Sequence, residues 1–215
     1  MRTSTAAALL AAAGASVVSA QDKVGFGPAF SLGPTQSWIR EANTTLVLPP
    51  VPSPQKDRLA LWPGMGTSGG DLIQALAVSF SDPAANCGAK AGEQLGGKQV
   101  PVSAGDKITM HYKYNDSTGK YDQTVSLNGK VVSTLSTSSG QAQGWGTAVE
   151  CQDDACVGTV VSHKYTNTTI ILNAADTTFK GTLGLNEADP TGLTTSDSKT
   201  FKVTTINIHS HTFNN

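Results

Sequence analysis

The stretch KITMHYKYNDSTGKYDQTVSLNGKVVSTL, from Lys107 to Leu135, decides the fold class. Its first eight residues alternate, with Ile108, Met110, Tyr112 and Tyr114 on one face and Lys107, Thr109, His111 and Lys113 on the other. Alternation with a period of two residues predicts a half-buried antiparallel strand. Asn128-Gly129 lies between two further strand-like runs and predicts a tight hairpin, because both turn positions take a positive φ.

Other segments have a similar composition, rich in Thr, Val and Ile: CVGTVVSHKY, NTTIILNAA and TFKVTTINIHSHTF. The segment GGDLIQALAVSF fits either a strand or a helix, and the glycines before it favour a strand that enters from a loop. Seven or more short strands joined by turns predict an all-β fold, a two-sheet antiparallel β-sandwich of the jelly-roll type.

The N-terminal segment predicts export from the cell. Residues 1–20 combine a basic start at Arg2, an apolar run over 6–18 and a small-residue cleavage site, which is typical of a signal peptide. Residues 21–58 include the sequence LPPVPSP, whose prolines cannot donate to a strand ladder, so we expect an extended N-terminal arm. Residues 59–215 are then the β-sandwich domain, which is secreted.

Charge and sequons limit the possible partners. The formal net charge is -1 and no basic stripe is present, which argues against nucleic acid. The apolar run over 6–18 is shorter than the about 20 residues that a membrane helix needs, so we expect no membrane partner and a monomer. Three sequons, at Asn43, Asn115 and Asn167, predict a glycoprotein with glycans on surface loops.

The three cysteines leave the disulfide open. Cys151 and Cys156 enclose the short acidic loop CQDDAC, and their proximity in sequence favours a bond between them. Cys87 is then a free thiol. The alternative, in which Cys87 pairs with Cys151 or Cys156, stays open at this point.

Candidate metal ligands are few. His209 and His211 are two residues apart, so one strand would place them on one face, with His111 or His163 as a third ligand. Asp153-Asp154 are possible oxygen ligands for Ca²⁺. A surface histidine pair and a solvated acidic loop are the simpler interpretations, so we predict no metal. Motifs of serine hydrolases, zincins and nucleotide-binding enzymes are absent from the sequence, and we predict no cofactor.

The order of four short motifs resembles the fungal glutamic peptidases, the eqolisins. Trp62-Pro63-Gly64 is similar to the family's Trp-x-Gly, and Leu72-Ile73-Gln74 is similar to its Ile-Leu-Gln strand. The segments VSAGDKI and GTAVEC follow in the family's order, so that the resemblance covers roughly residues 59–175. It implies a concanavalin A-like β-sandwich and a secreted acid endopeptidase that acts on polypeptides, with Gln74 and Glu150 as its catalytic pair.

The resemblance also implies a role for each site residue. Glu150 would act as a general base on a water, and Gln74 would orient that water and donate to the oxyanion. Trp62, Trp145 and Asp71 would bind the substrate. Glu150 stands one residue later than the family's Glu, and a one-residue shift in a strand turns the side chain to the other face unless a bulge restores it.

A non-catalytic binding module is the alternative function. Sugar rings stack on aromatic faces, so a sheet that presents Trp62 and Trp145 would suit a polysaccharide or a cell-wall ligand. Trp145 lies between Gly144 and Gly146, which leave room for a ligand near the backbone. On this interpretation the chain keeps the scaffold and has no hydrolase activity.

Overall fold

A computed structural model describes residues 24–52, 58–79, 96–152 and 157–214. Its strands are β1 (Val24–Leu32), β2 (Ile39–Val47), β3 (Arg58–Thr67), β4 (Leu72–Gln74), β5 (Ala77–Ser79), β6 (Lys107–Asn115), β7 (Lys120–Leu127), β8 (Lys130–Thr137), β9 (Ala142–Gln152), β10 (Val157–Val160), β11 (His163–Leu172), β12 (Gly184–Asn186), β13 (Ala188–Thr191), β14 (Thr200–Ile208) and β15 (His211–Asn214). A four-residue 3₁₀ helix, Phe179–Thr182, is the one helical element in these ranges, and nothing in them is a helix able to cross a membrane. The all-β prediction is confirmed.

The first sheet has the strand order β13-β14-β11-β2-β6-β7-β8, with every pair antiparallel. The predicted alternation in β6 is present, because Ile108, Met110 and Tyr112 are buried while Lys107 is exposed. The predicted hairpin joins β7 to β8, and Asn128 and Gly129 have φ values of 51° and 84°.

The second sheet has the order β12-β1-β9-β3, and both β4 and β5 pair with the free edge of β3. The long strand β9 joins it to the first sheet through the pairing of Ala142 with Ile39. The inner faces of the two sheets share one hydrophobic core. The Tyr112 hydroxyl crosses that core from β6 and donates to the Pro63 carbonyl of β3 at 2.8 Å, so the two sheets form a sandwich.

The prediction of an extended arm over residues 21–58 is wrong for most of the described part. Residues 24–47 contain β1 and β2, and β2 is a central strand of the first sheet, between β11 and β6. The prolines that suggested the arm begin only after β2 ends at Val47. Residues 1–23 lie outside the described ranges, so the signal peptide stays a prediction.

Cys151 is buried in β9 and is disulfide-bonded. Cys87 and Cys156 both lie outside the described residues. The predicted pairing of Cys151 with Cys156 therefore stays a prediction.

Candidate functional site

The candidate site lies on the outer face of the second sheet, which is the face turned away from the first sheet. Leu59, Leu61 and Met65 of β3 point into the shared core. The residues between them therefore point outward, because side chains alternate along a strand. The outward-facing residues Ala60, Trp62 and Ala148 form a second, smaller apolar cluster, with Leu72 and Val78 packed against it.

Trp62 and Glu150 form the polar centre of this face. The Trp62 indole nitrogen donates to Glu150 Oε2 at 2.7 Å. Glu150 is 8% exposed and Trp62 is 2% exposed, so the hydrogen bond is almost dry. A buried carboxylate needs such a donor, because its desolvation is costly. Trp62 therefore holds Glu150 in place and does not offer an open ring face to a ligand.

Gln74 projects from the same face. Its Cα partner in β3 is Gly64, which lies on the Trp62 side of that strand. The Gln74 side-chain oxygen Oε1 is buried and has no hydrogen-bond partner among the described residues. A buried amide oxygen without a donor is uncommon in folded proteins, and such groups are candidates for a role in ligand binding.

Tyr112 supports the position of Gln74 from beneath the sheet. Pro63 interrupts the β3 ladder where β4 ends and β5 has not begun, since it has no N–H. The Tyr112 hydroxyl fills this break by donating to the Pro63 carbonyl and accepting from the Ala75 amide at 2.7 Å. Burial raises the pKa of Tyr112 far above its usual value, although the Ala75 hydrogen bond opposes that rise. Tyr112 is therefore neutral, and its hydroxyl links the two sheets through hydrogen bonds.

Gln74 and Glu150 share a face but do not share a row of the sheet. In register, Gln74 lies beside Gly64 and then Gly146, whereas Glu150 lies beside Ala60. Glu150 is thus four residues along β9 from the position in line with Gln74. At about 3.3 Å per residue and about 4.8 Å per strand, the two Cα atoms are roughly 16 Å apart. One water bridges groups up to about 6 Å apart, so both side chains would have to extend toward each other along the sheet to share one water.

The one-residue displacement of Glu150 therefore has a different outcome from the one expected. β3 and β9 pair without a register shift from Arg58 to Gly66, so no bulge intervenes between them there. Glu150 faces outward, as Gln74 does. The two side chains are therefore on the same face of the sheet and are separated along the strand direction.

The expectation that Trp145 is exposed to a ligand is wrong. Trp145 is 1% exposed, belongs to the shared core and packs edge-on against Phe30 with ring centroids 5.9 Å apart. Its Cα partner is Met65, which also points inward. The flanking glycines lie on the side opposite to the indole, because neighbouring residues of a strand point in opposite directions, and there Gly144 is next to the backbone of Leu32 and Gly33.

Asp71, the third predicted substrate-binding residue, lies in the exposed turn between β3 and β4. Its backbone amide donates to Thr67 Oγ1 at 3.2 Å, and its carbonyl accepts from the Thr67 amide at 2.9 Å. These contacts close the turn that returns the chain to Gln74. The substrate-binding role of the Asp71 carboxylate stays a prediction.

The histidines considered as metal ligands lie in separate settings. His209 follows β14 and contacts Asp189 at 2.6 Å, whereas His211 begins β15 and contacts Glu187 at 2.8 Å. His111 contacts Glu41 at 2.8 Å on the first sheet, and buried His163 has a lowered pKa because of desolvation. In the part of the chain that is described, no cluster of three or more His, Cys, Asp or Glu side chains could hold a metal ion. Asp153 and Asp154 lie outside that part.

Solved structures of glutamic peptidases match this fold. A scytalidoglutamic peptidase crystallised with a peptide-based transition-state analogue is 14% identical, with a TM-score of 0.50 over 86% of this chain and 99% of that chain. The chain has the fold of the eqolisins. SCP-B, an eqolisin in complex with the tripeptide Ala-Ile-His, is also 14% identical, with a TM-score of 0.46 over 87% of this chain and 98% of that chain.

The comparisons by sequence give no relative. No protein-family model matches the chain, and no curated protein sequence matches it. The likeness to the eqolisins is thus one of fold, and the roles of individual residues rest on the geometry described above.

Sequence reasoning missed two positions of this site. Tyr112 was recognised as an inward-facing strand residue, but its contacts with Pro63 and Ala75 depend on how the two sheets face each other. Gly146 was seen only as a neighbour of Trp145, although the register places it in line with Gln74. The interruption of a strand-like run by Pro63 was the one available signal that a polar group would be needed there.

Proposed function

We propose that this protein binds extended polypeptides on the outer face of its second sheet and does not hydrolyse them with the Gln74 and Glu150 pair. The register of β4, β3 and β9 carries this proposal, because the position in line with Gln74 is Gly146. Acid hydrolysis of a peptide by water needs a carboxylate and an amide that contact the same water. Glu150 is instead held by Trp62, four residues further along β9.

The class of ligand follows from the shape and chemistry of this face. Around Gln74 the outward positions are occupied by small residues, including Gly64, Gly66, Gly146 and Ala148. The Trp62 and Leu72 side chains cover Gly64, whereas a Cβ at Gly66 meets no atom within 4 Å, so Gly66 is where a ligand backbone has room to lie close to the sheet. The related scytalidoglutamic peptidase was crystallised with a peptide-based ligand, which supports a polypeptide here.

A polysaccharide ligand has less support on this face. Stacking on a sugar ring needs an open aromatic surface, and both tryptophans predicted for that role are at most 2% exposed. A polysaccharide on the same face therefore lacks its expected stacking partners.

Binding and cleavage are tested on one preparation of the full-length protein. We expect an extended-peptide library to bind in a fluorescence titration, at acid and at neutral pH, and mass spectrometry to find no new peptide fragments. A glycan array tests the polysaccharide in parallel. Binding to glycans and not to peptides would overturn the proposal, and so would release of fragments that the Glu150→Gln variant no longer produces.

One variant locates the bound polypeptide. A Cβ added to Gly66 meets no atom within 4 Å, so Gly66→Leu places a side chain over the face without disturbing the fold. We expect it to weaken peptide binding at least about tenfold, equivalent to about 1.4 kcal/mol. Gly181→Leu is the matched control, because Gly181 is equally open but lies in the 3₁₀ helix. Equal binding by both variants would place the ligand elsewhere.

An acid endopeptidase is the second candidate function. The observation in its favour is that a buried carboxylate, Glu150, and an unpartnered amide oxygen, that of Gln74, project from one face of the sheet. Catalysis would require the two groups to approach when a substrate binds. Pepstatin-insensitive cleavage at acid pH that is lost in both Glu150→Gln and Gln74→Ala would establish this function in place of the binding function.

We also propose that the protein is secreted. The sequence of residues 1–20 supports a cleaved signal peptide. N-terminal sequencing of protein recovered from a culture medium should begin near Gln21. Recovery of the full chain only from inside the cells would contradict export.

A further inference from the structure

The three sequons lie in three different settings on the first sheet, which allows a choice among them. We propose that Asn115 and Asn167 carry N-linked glycans and that Asn43 stays unmodified. The glycans would then lie on the first sheet, away from the outer face of the second sheet. This inference is independent of the polypeptide-binding function.

Asn115 ends β6 at the turn into β7. Its Oδ1 accepts from the Ser117 amide at 3.1 Å and from the Ser117 hydroxyl at 2.5 Å. The two side chains of the sequon that the transfer reaction requires are therefore in contact. Asn115 is half-buried and its Nδ2 donates to Asp122 Oδ2 at 3.0 Å, but residues 116–120 of the turn are exposed, so a glycan that replaces this contact extends into solvent.

Asn167 occupies a bulge in β11. The register of β11 with β2 shifts between Thr166 and Thr169, and Asn167 has a φ of 55°. Its side chain is exposed, unlike that of Thr168, which is 1% exposed. The bulge thus turns Asn167 out of the ladder and gives a glycan free space.

Asn43 lies in the middle of the central strand β2. Thr169 and His111 are its Cα partners on the two sides, and its side chain is half-buried. Its Nδ2 donates to the Asn167 carbonyl at 3.3 Å. A glycan on that nitrogen would meet the bulge that carries the Asn167 glycan, so the two modifications compete for the same space.

The modification forms one bond and breaks one. The Asn Nδ2 bonds to the anomeric carbon of a lipid-diphosphate-linked oligosaccharide supplied by the secretory pathway of the host. The bond from that carbon to the diphosphate breaks, the lipid diphosphate leaves, and one amide proton is released. No oxidant or reductant takes part.

The test uses the full chain, exported from a yeast host behind a host leader and purified from the medium. Enzymatic deglycosylation in heavy-oxygen water converts each occupied Asn into a labelled Asp, which peptide mass spectrometry then counts. We expect label at Asn115 and Asn167 and none at Asn43.

Three variants that keep each Asn but remove its sequon provide an independent readout. Ser117→Ala and Thr169→Ala should each increase gel mobility by one glycan, whereas Thr45→Ala should leave the mobility unchanged. Label at Asn43, a mobility change in Thr45→Ala, or the absence of label at either of the other two positions would overturn the proposal.

Discussion

On the outer face of the first sheet, polar side chains hydrogen-bond to one another and stay in contact with solvent. On the outer face of the second sheet, the Glu150 carboxylate is buried away from solvent. On the first, one row of hydroxyl residues crosses six strands in direct register: Thr191, Thr205, Thr166, Thr45, Thr109 and Ser126. Thr45 and Thr109 are hydrogen-bonded at 2.8 Å within it. On the second, small residues surround the buried pair of Trp62 and Glu150.

The difference shows on which face the loss of a hydrogen bond lowers the free energy of unfolding most. Polar groups on a wet face exchange one partner for water with little change in free energy. A buried carboxylate that loses one of its hydrogen bonds is not compensated by water, so the loss costs more. The second face therefore depends on particular contacts, and such dependence is expected at a site that is built for a ligand.

The largest effect is expected from Trp62→Phe, which removes the indole hydrogen bond to Glu150 and keeps an aromatic ring. We expect the free energy of unfolding to fall by about 1.5–3 kcal/mol, the range for a hydrogen bond to a charged group. Urea unfolding measures this change. Trp38→Phe is the control, since Trp38 is half-buried next to the first sheet, and it should lose less than about 1 kcal/mol. Equal losses would break the comparison.

Asp176 tests whether a buried carboxylate is costly to disturb away from both faces. It is 5% exposed and accepts from Thr35 Oγ1, the Gln36 amide, and the amide and hydroxyl of Thr178. Burial acts to raise the pKa of Asp176, but these hydrogen bonds prevail and hold it well below its usual value. At neutral pH, Asp176→Asn should lower stability by at least about 1 kcal/mol, the contribution of a single hydrogen bond.

The pH dependence of that variant has a definite sign. A lowered folded-state pKa stabilises the fold above the unfolded pKa of about 3.9, and the contribution disappears as the pH falls toward the folded pKa. The difference between wild type and Asp176→Asn should therefore be constant from neutral pH to about pH 5 and shrink below about pH 4. Thermal unfolding across this range measures it, and a gap that widens in acid would contradict the assignment.

Tyr112 tests how far the second face depends on the first sheet. Tyr112→Phe breaks the contacts with Pro63 and Ala75 and should cost about 1–2 kcal/mol. Tyr165→Phe is a matched control, because the Tyr165 hydroxyl is equally buried and has no hydrogen-bond partner among the described residues. We expect no loss from it. Hydrogen exchange at β4 should increase only in Tyr112→Phe. An increase in both variants would argue that the hydrogen bonds of Tyr112 do not specifically stabilise β4.

The smallest effect is expected on the wet face of the first sheet. Thr109→Val removes the hydrogen bond to Thr45, but water replaces it, so the free energy of unfolding should change by less than about 0.5 kcal/mol. Peptide binding should stay unchanged. A loss as large as that of Trp62→Phe would show that the two faces are not different in kind.

The sequence by itself determined the class of fold, because local patterns carry it. The alternation in β6, the Asn128-Gly129 turn and the segments that form β10, β11, β14 and β15 follow from neighbouring residues, whereas β12 and β13 were not predicted. The prediction failed at β1 and β2, since the prolines after Leu48 were given more weight than the strand-like composition before them. A proline run marks where a strand stops and says little about the residues ahead of it.

The site was decided by the tertiary structure. Sequence motifs singled out Trp62, Gln74 and Glu150, but the displacement of Glu150 predicted the opposite face, and the motifs could not show which residues share a row of the sheet. Which residues share a row depends on the register between β4, β3 and β9. These strands are distant in sequence: Trp62 and Glu150, which are hydrogen-bonded, are 88 residues apart. Register follows from packing across the whole sheet. The same packing buried Trp145, left open space beside Gly66 and placed Gly146, not a carboxylate, in line with Gln74.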